Sequence, residues 1–175
     1  FTKIELRNAK INFDLHELKE YISFFKKEFN SKPIKLKKGE IQLFDGKKSM
    51  AIIRDVNFKY KTNKNVSNII LMGNFLNDDI YINLKNEKDK NNLSKIFILK
   101  FLDTKTKVNI FNLASDKNAI SGNVSFRKNK NRLTSIFAYK DDQIIFKQSN
   151  LGNDFLDGKF NGMVKFLPYF DFNLN

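Results

Sequence analysis

The 175-residue sequence predicts a nearly all-β fold, an antiparallel meander with one amphipathic helix near its N-terminus. Three observations predict it. From Ile34 to Leu174 apolar residues recur at alternate positions, the period of a strand with one buried face. Short clusters of Asn, Asp, Lys and Ser separate these runs at spacings of roughly ten residues, the rhythm of hairpin-linked strands. Only residues 14–30 carry a helical period instead.

In chain order, Ile4 and Leu6, then Ile11 and Phe13, alternate and predict one strand or two short ones over residues 1–13. Asp14 is placed to cap a helix, with Glu17 three residues on. Leu15, Leu18, Ile22, Phe25 and Phe29 then fall on one face of a helix that Asn30, Ser31 and Pro33 terminate. The meander over 34–175 follows. Turns are expected at Asp45-Gly46, Lys61–Asn65, Asn77–Asp79, Asp103–Lys107, Lys128–Asn131 and Asp141-Asp142. Pro168, which lacks a ladder donor, separates the last two strands. Gly39, Gly73, Gly122 and Gly162 each sit among apolar residues, where glycine marks a bulge or a close backbone approach. The runs Ile69–Met72 and Ile96–Leu99 are apolar at every position, which predicts strands covered on both faces by helix 14–30 or a second sheet. A sharper alternative is that one face lines an apolar groove.

The chain begins at Phe1 without an initiator Met and ends within a strand-like pattern, so it reads as a single segment of a larger β-rich protein. No run approaches the roughly 18 apolar residues of a spanning helix, and there is no signal-peptide pattern. The net charge of +13 would suit a polyanion partner. However, Lys, Asn, Ile and Phe share A/T-rich codons, so part of that charge reads as mutational bias. Cysteine is absent, which excludes disulfides, thiolate zinc cages and thiol nucleophiles. His16 is the sole histidine, expected at a solvent-facing or capping position with no catalytic partner motif. Asp78-Asp79 and Asp141-Asp142 read as turn residues rather than acid–base pairs. Residues 153–158 lack the alternating oxygen ligands and final glutamate of a calcium loop, and read as a turn before the strand at Phe160. No catalytic or metal constellation emerges, and neither an enzyme nor a cofactor is expected. Arg127, Lys128, Lys130 and Arg132 put four positive charges into six residues, either a solvated hairpin loop or a contact for phosphate in nucleic acid or anionic headgroups. No RNP-type aromatic motif, phosphate loop or helix-turn-helix accompanies them.

The order of elements carries a resemblance. A short strand with Ala9 and helix 14–30 precede Pro33-Ile34-Lys35-Leu36-Lys37-Lys38-Gly39-Glu40-Ile41-Gln42-Leu43-Phe44-Asp45. Then come Ile53-Arg54-Asp55-Val56-Asn57-Phe58, the Gly73 segment and Asp157–Gly162. This succession resembles the AsmA/TamB-like family across essentially the whole chain, though higher charge and the interrupting helix depart from the family pattern. The resemblance implies an extended, twisted sheet curled into a trough with an apolar interior. It also implies a periplasmic location within an inner-membrane-anchored Gram-negative protein, and a part in phospholipid transport and outer-membrane biogenesis. On that footing the expected groove lining is Ile69, Leu71, Phe75, Phe97, Leu99, Phe101, Val124, Phe126, Phe137 and Phe146. The expected partners are phospholipid acyl chains, with the membrane reached through other parts of the parent protein and no nucleic acid. Two rivals are a dry structural β-module and, behind it, a basic nucleic-acid-binding protein.

Overall fold

A computed structural model of the chain describes residues 4–17, 33–63, 66–89, 92–115, 120–140, 143–165 and 171–174. It is mainly β, as the alternation predicts. The strands are β1 Ile4–Arg7, β2 Lys10–Asp14, β3 Ile34–Asp45, β4 Lys48–Thr62, β5 Val66–Phe75, β6 Asp78–Asp89 and β7 Asn92–Phe101. There follow β8 Thr106–Ser115, β9 Ile120–Lys128, β10 Asn131–Lys140, β11 Gln143–Gly152, β12 Asp157–Lys165 and β13 Asp171–Leu174. From β3 onward each strand neighbours its successor in sequence, while β1 and β2 both lie on the outer side of β3. Compactness divides the chain into unit 1, Phe1–Lys85 with Phe101–Asp103, and unit 2, Asn86–Lys100 with Thr104–Asn175.

No α-helix occurs among the described residues, so the expected helix over 14–30 finds no support there. Asp14 is the last residue of β2, and Leu15–Glu17 form a single 3₁₀ turn. The Asp14 carboxylate does accept the His16 N–H at 3.0 Å, the bond a cap would make. The rest of the expected helix, 18–30, lies outside the described residues. The strands ahead of the meander depart from the expected antiparallel sheet, because β1 and β2 pair with β3 in parallel. Parallel neighbours need a crossover of roughly a dozen residues or more, and the chain between β2 and β3 is long enough to supply one.

Hairpin chemistry explains the described turns. Leu76 and Asn77 both take positive φ, 53° and 63°, the handedness that matches strand twist in a two-residue loop. Gly46 (φ 59°) and Asn129 (φ 53°) do the same between β3 and β4 and between β9 and β10. The Asp141-Asp142 turn lies outside the described residues. Asp78 is more than a turn residue: buried at the start of β6, it accepts the Asp103 N–H at 2.9 Å, while the Asp79 N–H donates to Asp103 at 3.2 Å. These bonds tie the start of β6 to Asp103 within unit 1.

In unit 1 a line of positive-φ residues runs from the β1–β2 junction across bulges in β3 and β4. Asn8, Lys38 and Asp55 have φ near +50°, a region costly for residues with a Cβ. The register of β3 against β4 shifts beside Lys38, and that of β4 against both neighbours shifts beside Asp55. Asn8 sits on the same line, its N–H donating to the Lys37 carbonyl at 3.0 Å. Two of the glycines singled out by the sequence make room here. A Cβ on Gly73 would lie 2.8 Å from the Arg54 carbonyl oxygen, and one on Gly39 would lie 2.6 Å from Leu36 Cδ2. The glycines are thus the close approaches, while Lys38 and Asp55 are the bulged residues themselves. Leu36, Ile41 and Val56 form the buried core beside this line.

Unit 2 repeats the device at Gln148 (φ 49°), where β11 shifts register against both β10 and β12. Beside it the buried hydroxyls of Ser135 and Ser149 meet at 2.7 Å. Ser135 also lies 3.1 Å from the Ile136 carbonyl, an acceptor for its proton.

Candidate functional site

One apolar pocket lies within unit 1. Alternation on β2 delivers Ile11 and Phe13, β3 delivers Leu36 and Ile41, β4 Phe58, and β5 Ile69 and Leu71. Register brings them together, with Ile11 beside Ile41, Leu36 beside Phe58, and Phe58 beside Leu71. The bulges keep them on one face. Leu36 and Ile41 are five residues apart, an odd interval that would put them on opposite faces of a regular strand. The extra residue at Lys38 restores the phase. The pocket measures about 200 Å³, and every lining side chain is apolar. An engineered cavity of ~150 Å³ with similar lining stays dry and takes benzene, so this one has room for a short run of hydrocarbon.

The ten expected lining residues separate into groups. Ile69 and Leu71 line the pocket. Phe75 and Phe101 form a tilted ring pair at 6.5 Å within unit 1. Phe97 and Leu99 are half-buried on β7. Val124, Phe126, Phe137 and Phe146 share one face of unit 2, set by the pairings of Phe126 with Leu133, Val124 with Ser135, and Phe137 with Gly122 and Phe146. Ile11, Phe13, Leu36, Ile41 and Phe58 were missing from the expected lining. Their alternation was visible, but only the parallel register of β2 brings Ile11 and Phe13 in. The expected double cover of Ile69–Met72 fails at Met72, which is 48% exposed.

The basic loop of unit 2 is braced rather than free. Lys130 pairs with Asp154 of the neighbouring β11–β12 turn, and Arg132 reaches Asp157 at 3.1 Å. Arg127 lies 3.4 Å from the Asn129 carbonyl. His16 is exposed and meets Asp45 at 2.6 Å. No cluster of His, Cys, Asp and Glu able to hold a metal occurs among the described residues, and no described helix is long and apolar enough to cross a membrane. Compared with family models, curated proteins and solved structures, the chain finds no match. Fold and site together define a sheet protein with an apolar pocket set beside a line of bulges.

Proposed function

We propose that this chain is a non-enzymatic lipid-binding segment that holds stretches of acyl chain against the apolar face of its sheet. In this reading it contributes to phospholipid transport between inner and outer membranes, within a larger periplasmic, membrane-anchored protein of the kind its sequence resembles. The observation that carries the reading is the unit 1 pocket, apolar on every lining side chain. At about 0.8 kcal/mol per buried methylene, five or six methylenes would contribute roughly 4–5 kcal/mol, enough for weak, exchangeable retention. Weak binding suits a conduit, in which cargo must leave as readily as it enters. The half-buried Val124, Phe126 and Phe146, on one face of unit 2 beside the buried Phe137, offer further surface of the same chemistry.

The test fills the pocket without charging it. Ile69→Trp places an indole among the lining residues, while Ile70→Trp puts the same ring on the opposite face of β5. Bound phospholipid is measured by native mass spectrometry after incubation with vesicles. Lipid retained by the wild type and by Ile70→Trp, but lost from a folded Ile69→Trp, is the expected result. A folded wild type that retains no lipid, or two variants that retain it equally, overturns the proposal in favour of a dry structural module.

A further inference from the structure

A second surface lies in unit 2, where the turns of β9–β10 and β11–β12 stand side by side. Lys107, Arg127 and Arg132 occupy directly opposed positions on three adjacent strands and so share one face. Like charges placed opposite each other destabilise a sheet, and here three stand in a row. The row continues through Gly152 to Asp157. Gly152 has no side chain, and a Cβ there would overlap the Asp157 carboxylate that Arg132 reaches. Lys105, Lys128, Lys130 and Lys159 lie around the same strand ends, with Asp154 and Asp157 the carboxylates between residues 151 and 159. Positive charge therefore dominates this end of the unit.

Beside the cations stands the most exposed large apolar side chain among the described residues. Phe155 is 96% exposed and Leu156 57%. The sequence suggested only a turn here. The turn is firmly held: Asn153 accepts the N–H groups of Phe155 and Leu156 at 2.8 and 2.9 Å, and its amide donates to Asn131 at the start of β10 at 3.2 Å. The Lys130–Asp154 pair ties the two turns again. An apolar tip fixed in water beside a cationic field has the make-up of an interfacial anchor, with apolar groups to enter the acyl boundary and cations to meet headgroup phosphates.

We propose that this end of unit 2 docks on an anionic lipid surface, with Phe155 and Leu156 inserting and Arg127 and Lys128, the cations of the loop not held by Asp154 or Asp157, meeting the headgroups. Leu156 beside Phe155 favours a bilayer over single-stranded nucleic acid, because bases stack on rings and not on leucine. The proposal is independent of what fills the unit 1 pocket.

The chain contains no tryptophan, so Phe155→Trp is a unique fluorescent reporter at the tip. Vesicles of phosphatidylcholine with about one-quarter phosphatidylglycerol should shift its emission to the blue, and vesicles of phosphatidylcholine alone should do so far less. In flotation assays Phe155→Ser/Leu156→Ser should bind the anionic vesicles roughly ten- to a hundred-fold more weakly. Arg127→Ala and Lys128→Ala should each weaken binding roughly five-fold. Ile69→Trp, which fills the other site, should float like the wild type, so the two proposals fail separately. Unshifted Phe155→Trp emission with anionic vesicles, or undiminished flotation of the double serine variant, overturns the proposal. So does a shift induced by a single-stranded oligonucleotide and not by vesicles, which would assign the surface to nucleic acid.

Discussion

Replacing Gly73 by alanine tests the bulge line at its tightest point. The added Cβ would sit 2.8 Å from the Arg54 carbonyl oxygen and 2.9 Å from Ile53 Cγ2, with Val56 Cγ2 at 3.3 Å. The first of these is backbone, fixed by the β4 bulge, and cannot rotate away as a side chain would. The methyl must therefore push β5 off β4 or distort the bulge, an overpacking cost of about 1–3 kcal/mol. Gly158→Ala is the matched control, since a Cβ there meets nothing within 4 Å and its φ is ordinary. Losing the flexibility of glycine in the unfolded chain should leave that variant level or more stable by about 0.4–1 kcal/mol. For a chain of this length each kcal/mol moves the melting temperature by about 2–4 °C, so Gly73→Ala should melt several degrees lower and Gly158→Ala no lower. Thermal melts and urea titrations followed by far-UV circular dichroism read both. Where the two units melt separately, the loss should fall on the transition of unit 1. Equal stability of the two variants would refute the reasoning, because it would mean that the bulge yields without cost.

Two further outcomes follow from named hydrogen bonds. Ser135→Ala removes the hydroxyl facing the fully buried Ser149 and should cost about 1–3 kcal/mol in urea unfolding. Ser149→Ala should cost less, since Ser135 keeps the Ile136 carbonyl as an acceptor. Asp78→Ala removes the acceptor for the Asp103 N–H, and hydrogen exchange at that amide should speed up relative to the interior of β4.

Much of this sheet was legible in the sequence. The polar clusters at Asp45-Gly46, Asn77, Asp103–Lys105 and Asn129 fall on observed turns, because they supply the positive φ and side-chain acceptors that hairpins need. Gly39 and Gly73 were correctly singled out as places of close approach. What stayed hidden depends on long-range pairing. Nothing local to Ile11 or Phe13 says that β2 lies parallel to β3 and so reaches the pocket. The residues that bulge, Lys38, Asp55 and Gln148, are ordinary polar surface types, and tertiary pairing holds their φ. The Phe155-Leu156 tip was invisible because its sequence is that of any polar-flanked turn, and its exposure follows from how Asn153 ties the loop.

The bulges also bear on how such a chain changes length. In a regular strand, adding or losing one residue turns every later side chain to the other face. In β4 the apolar series runs Tyr60, Phe58, Val56 and then Ile53 and Ala51, changing from even to odd numbers at Asp55 while pairing with β3 carries on to either side. The crease absorbs one residue without exposing the core. Single insertions and deletions should therefore have been accepted over the history of this sheet near Lys38, Asp55 and Gln148. The same event between Phe58 and Tyr60 would turn the end of the strand inside out.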